Sequence, residues 1–277
     1  MSFSVNTNTG AAVALQYLNA TQGQLDTTQS RINSGLKVAN AKDDGAIYAI
    51  AQNQRGAVAG YQAVINSINN GSSAIDVALS AGQSISDLLI QMKSKALAAA
   101  DTSLDTASRQ ALNANFTALR DQIGTIVKNA VFNGFNLVDG STNQVAALAS
   151  ADGSRHITTS SQNMKLSGSI VTMTSTATIS TQAKASTLVS TIQSSLTNVN
   201  SALAKLSAGA AKFSIQATFA QNLSDTLTIG IGHLVDANMA EESASLQSLQ
   251  VKQQLGIQAL SIANQAPQTL LGLFQGG

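Results

Sequence analysis

The chain has no cysteine, no tryptophan, two histidines and one proline, Pro267, in 277 residues. Without cysteine there is no thiol nucleophile, no disulfide and no zinc ribbon, and either redox compartment stays open. Aromatic residues make up only 4% of the chain, so a compact globule filled by large rings is a poor fit. Charged residues stand at 10%, against roughly 25% in ordinary globular domains. A net charge of +1 leaves no basic footprint for nucleic acid or anionic lipid. No segment reaches the ~18 apolar residues of a membrane span, so no membrane insertion is expected. Met1 to Asn6 lacks the basic start and apolar run of a cleavable signal.

What is present is alanine, leucine, isoleucine and valine in helical periods, with serine, threonine, asparagine and glutamine as the polar surface. Both ends are apolar and nearly uncharged. From Ser243 to Gly277 the one charged side chain is Lys252, and before Lys37 only Asp26 and Arg31 carry charge. Leu18, Leu25 and Ile32 repeat at seven residues; Leu246, Leu249, Val251, Leu255, Ile257, Leu260 and Ile262 spread around a helix. A helix apolar on many sides needs several neighbours, and a seven-residue period makes those neighbours helices. Leu18, Leu25, Ile32, Leu246, Leu249, Leu255, Leu260 and Ile262 are therefore the candidate self-assembly residues. Segments that cannot bury these faces in one monomer are expected to order on assembly.

Two long seams lie between the ends. Ile47, Gln54, Tyr61, Ile68, Ile75, Gly82 and Leu89 are seven apart, with Ala51, Val58, Ile65, Ser72, Leu79 and Ser86 interleaved. The turn dipeptide Asn70-Gly71 interrupts this stretch, but the phase is kept, so one continuous helix with a weak point at Gly71 is expected. A shorter amphipathic helix runs from about Asp105 to Asn129 and ends at the turn Asn133-Gly134-Phe135-Asn136. Ile192, Val199, Leu206, Phe213, Ala220, Leu227 and Leu234 form the second long seam. Gly230 and Gly232 mark a joint before a last helix near Asp236 to Leu273. Between the helical blocks, Asp139 to about Thr181 is rich in serine, threonine and glycine, and its alternating runs at Ser154–Thr159 and Lys165–Ile179 read as short strands and turns or as a loosely ordered loop.

The fold expected is mainly α: an elongated antiparallel, coiled-coil-like helical bundle built from both chain ends, with a small β/loop excursion in the middle. Its core seam residues are Ile47, Tyr61, Ile68, Ile75, Leu89, Ile192, Val199, Leu206, Phe213 and Leu227.

Chemistry is sparse. His156 and His233 have no partner at metal-ligand spacing, and there is no G-x-S-x-G elbow or P-loop. Gly230-Ile231-Gly232 lacks the third glycine of a dinucleotide fingerprint. Asp43-Asp44 and Glu241-Glu242 fall near helix starts, where carboxylates suit the helix dipole. No catalytic residue, cofactor or metal is expected, and the sequence does not read as an enzyme.

The segment from Arg31 to Val38 (RINSGLKV), followed by Ala41 to Ala46 (AKDDGA), resembles the N-terminal signature of bacterial flagellins. Ile262 to Gln268 (IANQAPQ), with Leu270, Leu271, Leu273 and Phe274, resembles their C-terminal signature, and Phe132-Asn133-Gly134 with Leu137 matches an internal turn. The stretches Leu246 to Leu255 and Asp101 to Leu104 are most similar to alphaproteobacterial members. The resemblance covers roughly 1–140 and 185–277.

It implies a structural subunit that polymerises into the flagellar filament for motility. It implies a division into 1–40 and 233–277 as the inner filament core, 41–139 and 184–232 as the outer core, and 140–183 as a short exposed variable segment. It further implies secretion by the flagellar type III apparatus without signal cleavage, and location outside the cell. The partners it implies are other copies of the same protein, an export chaperone at the C-terminal helix, and hook-associated junction and cap proteins. In relatives that strongly activate the animal innate immune receptor, the stretch matching Leu89 to Ala98 carries an arginine and a glutamate; here Gln91 and Ser94 stand there, so weak activation is expected. The serine- and threonine-rich segment 141–181 is open to O-glycosylation or to remaining an unmodified polar loop. The alternative reading is a hook-associated filament-junction protein with related ends.

Overall fold

The computed structural model describes residues 7–275, with side chains as far as Gln265. Side chains of Pro267, Leu270, Leu271, Leu273 and Phe274, named in the C-terminal signature, lie outside the described residues, as does the Met1 to Asn6 stretch. The elements are α1 (Thr9–Ser34), α2 (Gly45–Ala99), α3 (Thr106–Asn129), β1 (Gln144–Leu148), β2 (His156–Ser160), α4 (Gln182–Val235) and α5 (Met239–Gln275). Two compact units form: a terminal unit of Met1–Gly56 with Leu227–Gly277, and a central unit of Ala57–Thr226. The mainly α class with a small β excursion is what the sequence periods require.

Helix starts are set by short polar side chains that accept the orphan backbone N–H groups of the first turn. Asn8 Oδ1 accepts from the Ala11 N–H at 2.9 Å at the start of α1. Asp44 Oδ1 takes the Ala46 and Ile47 N–H groups at 3.0 Å each before α2. Asp105 caps α3 through the Ser108 hydroxyl and N–H, which together hold its carboxyl below the usual range. At the end of α1, Gly35 adopts φ 71°, a left-handed C-cap that glycine enters without steric cost.

One expected boundary moves. Gly230 and Gly232 are not a joint: α4 runs through both to Val235, and the link to α5 is Asp236 to Asn238. A glycine weakens a helix by about 1 kcal/mol without breaking it. The break falls where the backbone finds other partners: Lys37 N–H donates to the Val235 carbonyl at 2.7 Å, and Ala237 N–H to the Gly35 carbonyl at 3.0 Å. Asn238 Oδ1 then accepts from the Ala240 N–H at 3.2 Å.

In the central unit α2 and α4 run antiparallel with α3 alongside. Ile68, Ile75 and Leu89 of α2, Phe116 and Ile123 of α3, and Ile192, Val199, Leu206 and Phe213 of α4 are buried in one core. Tyr61 is half-buried against it. The Asn70-Gly71 pair leaves α2 unbroken, and the reason is steric. A Cβ on Gly71 would stand 2.5 Å from Cε1 of Phe213, so the glycine makes room for a ring from the facing helix. Gly82 opposite Leu203 does the same, with a Cβ there 2.7 Å from Leu203 Cδ2.

The middle segment forms one antiparallel hairpin, β1 with β2, pairing Val145 with Thr159 and Ala147 with Ile157. Its second strand overlaps the alternation at Ser154–Thr159. The first strand escapes a sequence reading because its inward face offers only Val145 and Ala147. Of the two readings of Lys165–Ile179, short strands and turns or a loop, the structure shows the loop; an isolated Leu166–Val171 bridge is the pairing there among the described residues. Met164, Val171, Met173 and Ile179 still point into the core. The backbone is held by helix side chains instead: Ile179 N–H donates to Asn113 Oδ1 at 2.7 Å, and Thr172 N–H to Ser195 Oγ at 3.1 Å. Alternation correctly marks the inward residues, but no neighbouring strand supplies a ladder.

Candidate assembly surface

In the terminal unit α1 and α5 pair antiparallel. Asn8 Nδ2 donates to the Ala263 carbonyl at 2.7 Å, Gln253 Nε2 to Gln22 Oε1 at 2.6 Å, and Arg31 Nη1 to Glu242 Oε1 at 3.1 Å. The Arg31–Glu242 pair is partly exposed and contributes up to about 1 kcal/mol. Apolar packing carries more: Leu25 is 6% exposed and Leu249 7%, each worth about 1.5–3 kcal/mol of burial. A Cβ on Gly256 would touch Leu18 at 3.2 Å, so this glycine sets a close approach of the two helices. At the base of α2 and the end of α4, Val38, Ala51, Ile231 and Val235 are buried, with Ile47 and Leu227 half-buried.

The candidate self-assembly residues divide into two groups. Leu25 and Leu249 are consumed inside the unit, with Leu18, Ile32, Leu246 and Leu260 half-buried. Leu255 (58% exposed) and Ile262 (69% exposed) are not. At about 100° per residue, Val251, Leu255 and Ile262 fall within about 40° of one another, opposite the Leu249 and Leu260 side that meets α1. A second apolar stripe thus runs along the outer side of α5. On α1, Val13, Leu15 and the 71% exposed Tyr17 are also uncovered. These three sit between the heptad positions; the i, i+4 spacing of Val13 and Tyr17 is the signal that would find them. Towards the end of α1 and the start of α5 lies an open polar groove of about 770 Å3 lined by Thr27, Thr28, Arg31, Glu242, Ser248 and Lys252 among others.

No reacting constellation accompanies these surfaces. Among the described residues no group of three His, Cys, Asp or Glu side chains could hold a metal ion, and no helix is long and apolar enough to cross a membrane. His156 is exposed on β2, and His233 is exposed in the last turn of α4. Asp43 accepts the Ala39 and Asn40 N–H groups, Asp44 caps α2, and Glu242 is the partner of Arg31.

Residues 5–144 match the bacterial flagellin N-terminal helical region, and residues 189–274 match the bacterial flagellin C-terminal helical region. The chain belongs to the bacterial flagellin family. It is 50% identical to flagellin FljK of Caulobacter vibrioides over 98% of each chain. It is 31% identical to a flagellin of Brucella melitensis over 99% of each. The crystal structure of a Bacillus cereus flagellin matches 57% of this chain and 86% of that one, at 19% identity and a TM-score of 0.44. This flagellin is a structural subunit of the bacterial flagellar filament, not an enzyme. Its partners are further copies of itself, and its place is the extracellular filament.

Proposed function

We propose that the outward stripe of α5, Val251, Leu255 and Ile262, with Val13, Leu15 and Tyr17 of α1, is where one flagellin subunit meets the next. The observation that carries this reading is the two-sided apolar character of α5. One side is spent on α1, and on the other Val251, Leu255 and Ile262 are each more than half exposed among the described residues. Leu18, Leu25, Ile32, Leu246, Leu249 and Leu260 serve assembly at one remove, by making the helix pair that presents the outer stripe. Contacts between different patches on successive copies extend as a helix instead of closing. Burying this stripe at ~25 cal/mol per Å2 favours the polymer over the monomer.

The same reading assigns 1–40 and 233–277 to the inner filament core, 41–139 and 184–232 to the outer core, and 140–183 to the exposed variable segment. The seam residues from Ile47 to Leu227 hold the outer core together. An exposed stripe on the C-terminal helix also suits a cytoplasmic export chaperone that masks it before assembly. Export through the flagellar type III apparatus without signal cleavage, and contacts with hook-associated junction and cap proteins, complete the reading.

The deciding experiment is the double substitution Leu255→Ser with Ile262→Ser, followed by seeded polymerisation and electron microscopy. The expected result is a soluble protein with unchanged helical content, unfolding within about 0.5 kcal/mol of the parent, that forms no filaments. Filaments of normal length and yield overturn the assignment.

A further inference from the structure

The sequence holds two Asn-Gly pairs, Asn70-Gly71 and Asn133-Gly134. Glycine has no Cβ, so its nitrogen is unshielded towards the carboxamide of the asparagine before it. That nitrogen can attack the asparagine Cγ, forming a C–N bond and closing a succinimide ring. The proton of the glycine nitrogen passes to solvent base, the carboxamide NH2 takes up a proton from solvent, and the bond from Cγ to Nδ2 breaks as ammonia leaves. Water then opens the ring at either carbonyl, leaving aspartate or isoaspartate.

The structure places the two pairs in opposite circumstances. Asn70 and Gly71 lie inside the 55-residue helix α2, with Gly71 buried beneath the Phe213 ring. Reaction there requires opening a helix that the whole central core is packed against. Asn133 and Gly134 are exposed, at φ 47° and 82°, in a two-residue turn. Two backbone bonds of 2.9 Å between Phe132 and Phe135 close that turn, and neither uses the Gly134 N–H. A Cβ on Gly134 would meet nothing within 4 Å, so no neighbouring group packs against the glycine.

We propose that Asn133 is a deamidation and isoaspartate-forming site of this flagellin, with water as the co-reactant, and that Asn70 is protected by its helix. The isoaspartate product adds a main-chain methylene between Phe132 and Phe135, which no longer fits a two-residue turn. The turn leads directly into Asn136, whose buried side chain donates to the Val127 carbonyl at 2.7 Å and ties the segment to α3. Ageing at Asn133 therefore loosens the connection between α3 and the hairpin.

The test follows the full-length protein at mildly alkaline pH, folded and in urea, by tryptic digestion and tandem mass spectrometry. The mass gain of replacing NH by O is read at Asn133 in the 129–155 peptide and at Asn70 in the 56–93 peptide. Methylation by an isoaspartyl methyltransferase reads the isoaspartate product. In the folded protein Asn133 reacts at least about tenfold faster than Asn70, and in urea the two rates converge. Asn133→Gln abolishes the mass gain and the methylation that fragmentation places at position 133, while methylation at Asp139 and Asp152, each followed by glycine, is read separately in the same 129–155 peptide. A folded protein in which Asn70 keeps pace with Asn133, or in which Asn133 yields no product, overturns the proposal.

Discussion

The ring of Phe213 on α4 occupies the space where a side chain at position 71 of α2 would stand, a Cβ there lying 2.5 Å from the ring. Two effects of opposite sign meet at Gly71→Ala. The helix gains about 1 kcal/mol in propensity. Overpacking a fully buried ring costs about 1–3 kcal/mol. The steric effect wins, so Gly71→Ala lowers stability in denaturant unfolding by about 1 kcal/mol. Gly56→Ala, exposed on the same helix with nothing within 4 Å, raises it. Equal gains from both substitutions would remove the steric account of the glycine.

Leu25 and Leu255 separate stability from assembly. Leu25→Ala leaves a cavity between α1 and α5 and costs about 2–4 kcal/mol of the terminal unit, visible as faster hydrogen exchange in α1 and α5. Leu255→Ser leaves exchange unchanged and slows seeded filament growth. Matching exchange profiles in the two variants would show that both residues lie on one surface.

Asp152 sets an acid threshold for the tip of the hairpin. The Ser150 and Ser154 hydroxyls and the Ser154 N–H donate to its carboxylate and lower its pKa from 3.8 to about 2. Because the folded state binds the proton less readily, these bonds stabilise the tip above about pH 4 and are lost as pH falls towards 2. Carboxyl NMR titration should give an Asp152 midpoint near 2. Asp152→Asn should make the protection of the Ser154 amide, measured against its intrinsic exchange rate at each pH, independent of pH over that window. A midpoint near 3.8 counts against the bonds.

Gln91 and Ser94 are both exposed on α2. In a reporter assay for the animal innate immune receptor, this flagellin is expected to signal weakly. Gln91→Arg with Ser94→Glu is expected to raise the signal without altering helical content. Full potency of the parent protein would show that the receptor does not depend on these two positions.

Periodicity was legible wherever a helix has one dominant neighbour. Ile68, Ile75 and Leu89 on α2 and Ile192, Val199, Leu206 and Phe213 on α4 all face the core that their spacing implies. Short capping side chains such as Asp44 and Asp105 are equally readable, because their partners lie within three residues. The strand β1 was not readable, since Val145 and Ala147 make too short a pattern on their own. Nor was the Arg31–Glu242 pair, which joins groups 211 residues apart.

Long helices, nearly uncharged apolar ends and flagellin signatures can be read from residue order, because they are properties of single segments. Which apolar residues at those ends are spent within the subunit depends on how α1 packs against α5. Leu25 and Leu249 share a helical pattern with Leu255 and Ile262, yet the first two are buried and the last two are not. A period says that a face must be covered but not by what. The antiparallel register of α1 on α5, fixed at Asn8, Gln22 and Arg31, covers one side of α5 and leaves Val251, Leu255 and Ile262 exposed on the other.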